Sequence, residues 1–204
     1  MKKYLLCGVV LFFLTSCENV QTGKMTDSRD GQTYKTVVIG NQTWMAENLN
    51  YKTKQKSWCN GNDESNCAKY GRLYTWKAAM NACPSGWHLP SKVEFETLSD
   101  KAGGYDVAGK KLKSKKGWSK ARNGTDDFGF SALPAGAYYY SYGRGKSEFC
   151  FDRAQFWTAT ESESEYYRSS VAYACGFYDT GDYMVISDDG SGKKHGLSVR
   201  CLKN

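Results

Sequence analysis

At 204 residues the chain can form one domain with a sizeable core or two small ones. Its formal charge of +7 falls to +5 once Lys2 and Lys3 leave with the N-terminal segment described next, a mild excess that argues against nucleic acid as a main partner. With no Cys-x-x-Cys and only His88 and His195 as imidazoles, neither a metal nor a cofactor is expected.

Met1-Lys2-Lys3 is a basic start, and Tyr4 to Leu14 is an apolar run too short to span a bilayer, so the segment reads as a secretory signal. It ends in Leu14-Thr15-Ser16-Cys17, which resembles a bacterial lipobox. The resemblance implies removal of residues 1–16 and acylation of Cys17, with several acyl chains giving a stable membrane anchor. A lipid-anchored protein of the cell envelope, at the outer membrane or cell surface, is the address this implies. Residues 17–26 then form a polar tether, and residues 27–204 one domain.

Cys7 leaves with the signal and Cys17 is taken by lipid, so Cys59, Cys67, Cys83, Cys150, Cys175 and Cys201 are left. An even number in an exported chain indicates a disulfide framework. Of the possible pairings we expect Cys59 with Cys67 as a local loop, Cys83 with Cys201 as a long clasp, and Cys150 with Cys175 as a third bridge.

In chain order, Gln32 to Ile39 is rich in β-branched residues, Gly40-Asn41 signals a tight turn, and Gln42 to Met45 returns as a second strand. Trp58 to Ala68 reads as a polar loop. Trp76, Ala79 and Met80 mark one apolar face of a short helix within 74–82. Cys83-Pro84-Ser85-Gly86-Trp87-His88-Leu89-Pro90-Ser91 then turns the chain, and Ser91 with Glu94 forms a capping box for a helix to about Lys101. Phe95 and Leu98 should face inward, and Gly103-Gly104 stops this helix.

Lys110, Lys111, Lys113, Lys115, Lys116, Lys120 and Arg122 form the densest basic cluster. It reads as a solvated face, with an acidic polysaccharide or phospholipid headgroups as the functional alternative. Thr125 to Gly136 suits a tightly packed loop. Short strands follow at 156–160, 170–173, 183–186 and 197–202, the pattern of an antiparallel sheet. In the last, Leu197, Val199 and Cys201 alternate with Ser198 and Arg200, which puts Cys201 on the apolar face.

Several ordered blocks carry a resemblance: Asp30-Gly31-Gln32-Thr33-Tyr34, Ile39 to Leu49, Tyr70-Gly71-Arg72-Leu73-Tyr74-Thr75-Trp76, Cys83 to Ser91, Gly129 to Gly136, Phe156 to Glu161 and Ser198-Val199-Arg200-Cys201. From about Asp27 to its end the chain resembles the Fibrobacter succinogenes major paralogous domain family, whose members are typically secreted or lipid-anchored surface proteins without an established activity. A fainter similarity joins Trp87 to Glu96 with the Arg-Leu-Pro-Thr-Glu-Ala-Glu-Trp-Glu segment of formylglycine-generating enzymes. It implies an α+β, C-type lectin-like fold: two short helices packed on curled antiparallel sheet, with a disulfide clasping its first and last elements.

An oxidase of the formylglycine type would need a reactive cysteine pair able to hold copper, and no catalytic constellation is legible, so we expect no enzyme. Binding has more to point at. Nine of the 15 tyrosines fall between Tyr138 and Tyr183, mixed with acidic residues, and tyrosine offers a flat apolar face with a hydroxyl at low entropic cost. We take Tyr166, Tyr167, Tyr173, Tyr178, Asp179, Asp182 and Tyr183 as the ligand-binding set, for an extracellular glycan or a surface protein.

Overall fold

Gly40 adopts a positive φ of 63° and, with Asn41, reverses the chain between two strands. Strand β2 (Thr33–Ile39) pairs antiparallel with β3 (Gln42–Met45), and β1 (Thr22–Thr26) adds to the outer edge of β2. The structure is a computed structural model that describes residues 19–54, 56–141, 148–163, 170–187 and 191–204. The signal segment, Cys17, Tyr166 and Tyr167 lie outside the described residues. Residues 22–26 of the expected tether are therefore a strand, held by ladder bonds their polar composition does not announce.

Strand β4 (Ser57–Trp58) pairs with β5 (Leu73–Tyr74), and between them runs α1 (Glu64–Tyr70). The polar loop expected here thus contains a helix, capped by the Asp63 carboxylate, which accepts from the Ser65 N–H at 2.9 Å. Helix α2 spans only Trp76–Ala79. Ala79 is buried as expected, but Met80, the third residue of the apolar stripe and the helix C-cap, is exposed.

Strand β6 (Trp87–His88) leads into α3 (Lys92–Lys101), whose N-terminus carries the full capping box between Ser91 and Glu94. Phe95 and Leu98 are fully buried. Gly103 and Gly104, both at positive φ, end α3 and start α4 (Tyr105–Leu112), a helix the sequence reading omits.

The C-terminal half comprises β7 (Ala137–Tyr139), β8 (Glu148–Cys150), β9 (Arg153–Glu161), β10 (Val171–Tyr178), β11 (Met184–Ile186), β12 (Ser191–Gly192) and β13 (Leu202–Lys203). Two larger antiparallel sheets result. One has the order β1-β2-β3-β13-β6, so the last strand lies inside the first sheet; the other centres on β10, flanked by β9, β11 and β12. Of the expected terminal strand only its end joins this ladder, while Leu197 and Ser198 make isolated bridges to Tyr74 and Phe156.

Two hydrophobic clusters sandwich β9. Phe156 packs into one with Trp44, Phe95, Phe130 and Phe177, and its neighbour Trp157 into the other with Met45, Tyr74, Leu197 and Val199. Burial on both faces is why Phe156-Trp157-Thr158-Ala159 reads as a nearly continuous apolar run. Arg200, expected on the polar side, is fully buried and reaches through the protein to accepting carbonyls of Phe130 and Ser131.

Cys59–Cys67 and Cys83–Cys201 are disulfides, the latter with a Cα–Cα distance of 5.8 Å. The expected Cys150–Cys175 bridge is absent and both are thiols. Cys175 on β10 points into the cluster of Phe156 and Phe177, whereas Cys150 on β8 packs against the other cluster, so the core lies between them. Among the described residues no helix is long and apolar enough to cross a membrane.

Candidate functional site

The antiparallel register of β9 and β10 sets Arg153 opposite Tyr178 and Gln155 opposite Gly176. Gly176 has no side chain where the Tyr178 ring lies: a Cβ there would sit 2.7 Å from the Tyr178 hydroxyl oxygen. The ring is laid flat along the sheet for that reason. Tyr139 on β7 completes a polar chain, its hydroxyl donating to Gln155 Oε1 at 2.7 Å while Gln155 Nε2 donates to the Tyr178 hydroxyl at 3.3 Å.

Arg153 lies over both rings, its guanidinium carbon 5.7 Å from the centroid of Tyr139 and 5.5 Å from that of Tyr178. The Asp152 carboxylate accepts from its Nε at 2.7 Å and its Nη2 at 3.1 Å, which raises the arginine's pKa and lowers that of the acid. Burial pushes the pKa of both phenols up, so both stay neutral hydrogen-bonding groups at physiological pH.

Beyond β10 the chain turns through Asp179, Thr180, Gly181 and Asp182 to Tyr183. The Tyr183 ring lies across Gly181, 6.3 Å from that of Tyr178, and its hydroxyl hydrogen-bonds Thr180 Oγ1 at 2.8 Å. This loop is pinned from below. Lys113, fully buried, donates from Nζ to the carbonyls of Gly181 at 2.8 Å and Tyr178 at 3.4 Å, beside the Trp118 ring. Burial lowers its pKa against the opposing pull of Asp182 and Asp179. The Lys110 N–H also donates to the Asp182 carbonyl at 2.8 Å, and Ser119 donates from N and Oγ to Asp179 Oδ1.

A buried ammonium is costly to desolvate, and here it is spent on holding one surface loop. The result is a face of three tyrosines and an arginine, with the buried Gln155 amide beneath linking two of the hydroxyls. It offers flat apolar rings edged by fixed donors and acceptors.

Of the expected set, Tyr178, Asp179, Asp182 and Tyr183 come together here. Tyr173 does not: it shares a β10 face with Cys175 and Phe177, and is buried in their cluster under the Lys92 ammonium, 4.4 Å from its ring centroid. An odd spacing along a strand puts a residue on the opposite face. Tyr139, Arg153, Gln155 and Lys113 are site residues the sequence reading leaves out. Arg153 and Gln155, two apart on a strand, carry a signal; Lys113 hides within a basic run.

His88 stays apart from this face, whereas His195 packs edge-on against Tyr139, their ring centroids 5.1 Å apart. His88 bridges Glu94 and Asn204, and His195, whose pKa burial lowers, accepts from the Tyr140 N–H at 2.9 Å through Nδ1. Cys59, Glu64 and Cys67 cluster at metal-ligand spacing, but the two sulfurs are bonded to each other.

A family model described as Fibrobacter succinogenes major domain matches residues 37–203. No curated protein and no solved structure matches the chain.

Proposed function

The chain belongs to the Fibrobacter succinogenes major domain family, and from that premise we propose that it is a lipid-anchored recognition protein of the cell envelope that binds an extracellular glycan. Cys17 carries the anchor in this reading, and the body has a C-type lectin-like fold. The Cys83–Cys201 clasp and the insertion of β13 beside β3 support that fold, since both tie the C-terminal end back to earlier elements of the domain. The observation that carries the binding reading is the pre-set face of Tyr139, Tyr178 and Tyr183 with Arg153, held from beneath by the buried Gln155. Flat rings suit the apolar faces of sugar rings, and fixed polar groups suit their hydroxyls.

The state of the two thiols speaks against an oxidase of the formylglycine type. Burial raises the pKa of Cys175 well above its ordinary value and that of Cys150 also, which disfavours the thiolates an oxidase of the formylglycine type needs.

The test is a glycan array probed with the purified mature protein. Saturable binding is expected, weakened about tenfold or more by Tyr178→Ala with Tyr183→Ala, on the scale of lost aromatic contacts of about 1 kcal/mol each. Calcium chelation should leave it unchanged, because Ser119 occupies Asp179 Oδ1 and the Lys113 ammonium sits near Asp182. A blank array from folded protein would replace glycan with a protein partner, since the same residue types suit protein surfaces.

A further inference from the structure

The described chain begins beside a cleft edged by lysines. Lys24 on β1, Lys35 on β2, and Lys115 and Lys116 in the turn after α4 line a cleft of about 600 Å³. Its two carboxylates are already engaged. Glu47 accepts from the Lys35 N–H at 2.8 Å and lies 3.6 Å from its ammonium, while Asp126 accepts from the Ser131 N–H at 2.7 Å and from the Ser131 hydroxyl. Lys24, Lys115 and Lys116 are exposed and make no ion pair among the described residues.

Lys24 and Lys35 stand directly opposite in the β1–β2 ladder. Like charges so placed repel, and the strand pairing gains nothing from them. A multivalent anion in the cleft would reverse that sign. The position of the cleft says where such an anion comes from. Gly129 lines it, and a Cβ on Gly129 would lie 3.2 Å from Val20 Cγ1, so the N-terminal chain meets the body at the rim. Gln21 is fixed there too, its carbonyl accepting from the Val38 N–H at 2.9 Å. Three chain steps, through Glu18 and Asn19, lead from Val20 to Cys17, a reach of about 10 Å at full extension. That is close to the screening length of about 8 Å at physiological salt.

We propose that this cleft binds the phosphates of anionic lipid headgroups in the leaflet that holds the Cys17 anchor, fixing one face of the domain against the membrane. The proposal rests on the lipid-anchor reading. Each lysine withdrawn should weaken headgroup contact about fivefold.

The lipidated protein is reconstituted in vesicles of phosphatidylcholine, with or without phosphatidylglycerol, and treated with an amine-reactive label read by mass spectrometry. Labelling of Lys24, Lys35, Lys115 and Lys116, relative to exposed Lys56 and Lys77, should fall on anionic vesicles and recover in high salt. In the combined variant Lys24→Gln, Lys115→Gln, Lys116→Gln, labelling of Lys35 should be the same on both vesicles. Equal labelling of the wild-type cleft on both surfaces would overturn the proposal. Protection by inorganic phosphate alone would make the source a free anion, and protection only by polygalacturonate an acidic glycan; either overturns the lipid assignment. The N-terminal peptide mass separates the two readings: an unacylated Cys17 sinks the anchor, and the cleft is then judged by flotation with anionic but not neutral vesicles.

Discussion

Arg200 shows how much one buried side chain can organise. It has no exposed surface, and its guanidinium donates to Asn48 Oδ1 and to the carbonyls of Met45, Phe130 and Ser131 while lying over the Phe130 and Phe156 rings. Burial pushes its pKa down to about 9, which still leaves it protonated at neutral pH. Its partners are dipoles and rings, and among the described residues no carboxylate pairs with it directly. Replacing Arg200 with Ala orphans several buried acceptors at about 1–3 kcal/mol each, so a loss of about 3 kcal/mol or more is expected in urea unfolding. Arg200→Lys should recover little, because one ammonium cannot reproduce a planar fork of donors.

Among the elements, α3 depends on an acid at its start. Burial alone would raise the pKa of Glu94, but the Ser91 N–H at 2.6 Å and His88 at 2.9 Å outweigh it and hold the pKa below the ordinary 4.5. A depressed carboxylate stabilises above its unfolded pKa. That contribution is lost as pH falls through the lower folded value. Glu94→Gln should flatten the acid side of the thermal midpoint against pH, since the amide oxygen can still accept from the Ser91 N–H and the group no longer titrates. Helix α4 makes a second test through Gly109, where an added Cβ would collide with the carbonyls of Asp182 and Tyr183. Ala normally favours a helix interior by about 0.5–1 kcal/mol over Gly. Here overpacking should win, with Gly109→Ala costing about 1–3 kcal/mol in denaturant unfolding and displacing Tyr183 from the tyrosine face.

For the whole molecule, the two disulfides close loops of very different length, with sequence separations of 8 and 118. On the chain-entropy account the short one contributes about 2.5 kcal/mol and the long one about 5. Removing Cys83 and Cys201 together should therefore cost about twice as much as removing Cys59 and Cys67, as read from paired denaturant curves. The long clasp also sits where β6 and β13 meet, so its loss should lower protection of Leu202 and Trp87 amides in hydrogen exchange before that of β9 and β10.

The β2–β3 hairpin, the Ser91 capping box and the clasp partners were legible in the sequence because each rests on local chemistry or on a simple alternation. So was a tyrosine-rich face, in part: Tyr178 and Tyr183 sit on it, while Tyr173 is turned inward by the odd step along β10. Helices α1 and α4 were missed because polar residues and glycines cover short helices that tertiary packing supports. The third disulfide failed for a reason no spacing reveals: the core separates Cys150 from Cys175. Lys113 and Arg200 read as surface charges, and only the folded chain put carbonyls around them. By itself the sequence determined periodicity, turns and family; which charges were buried, and which tyrosines faced outward together, depended on contacts between residues far apart in the chain, and only the tertiary structure decided them.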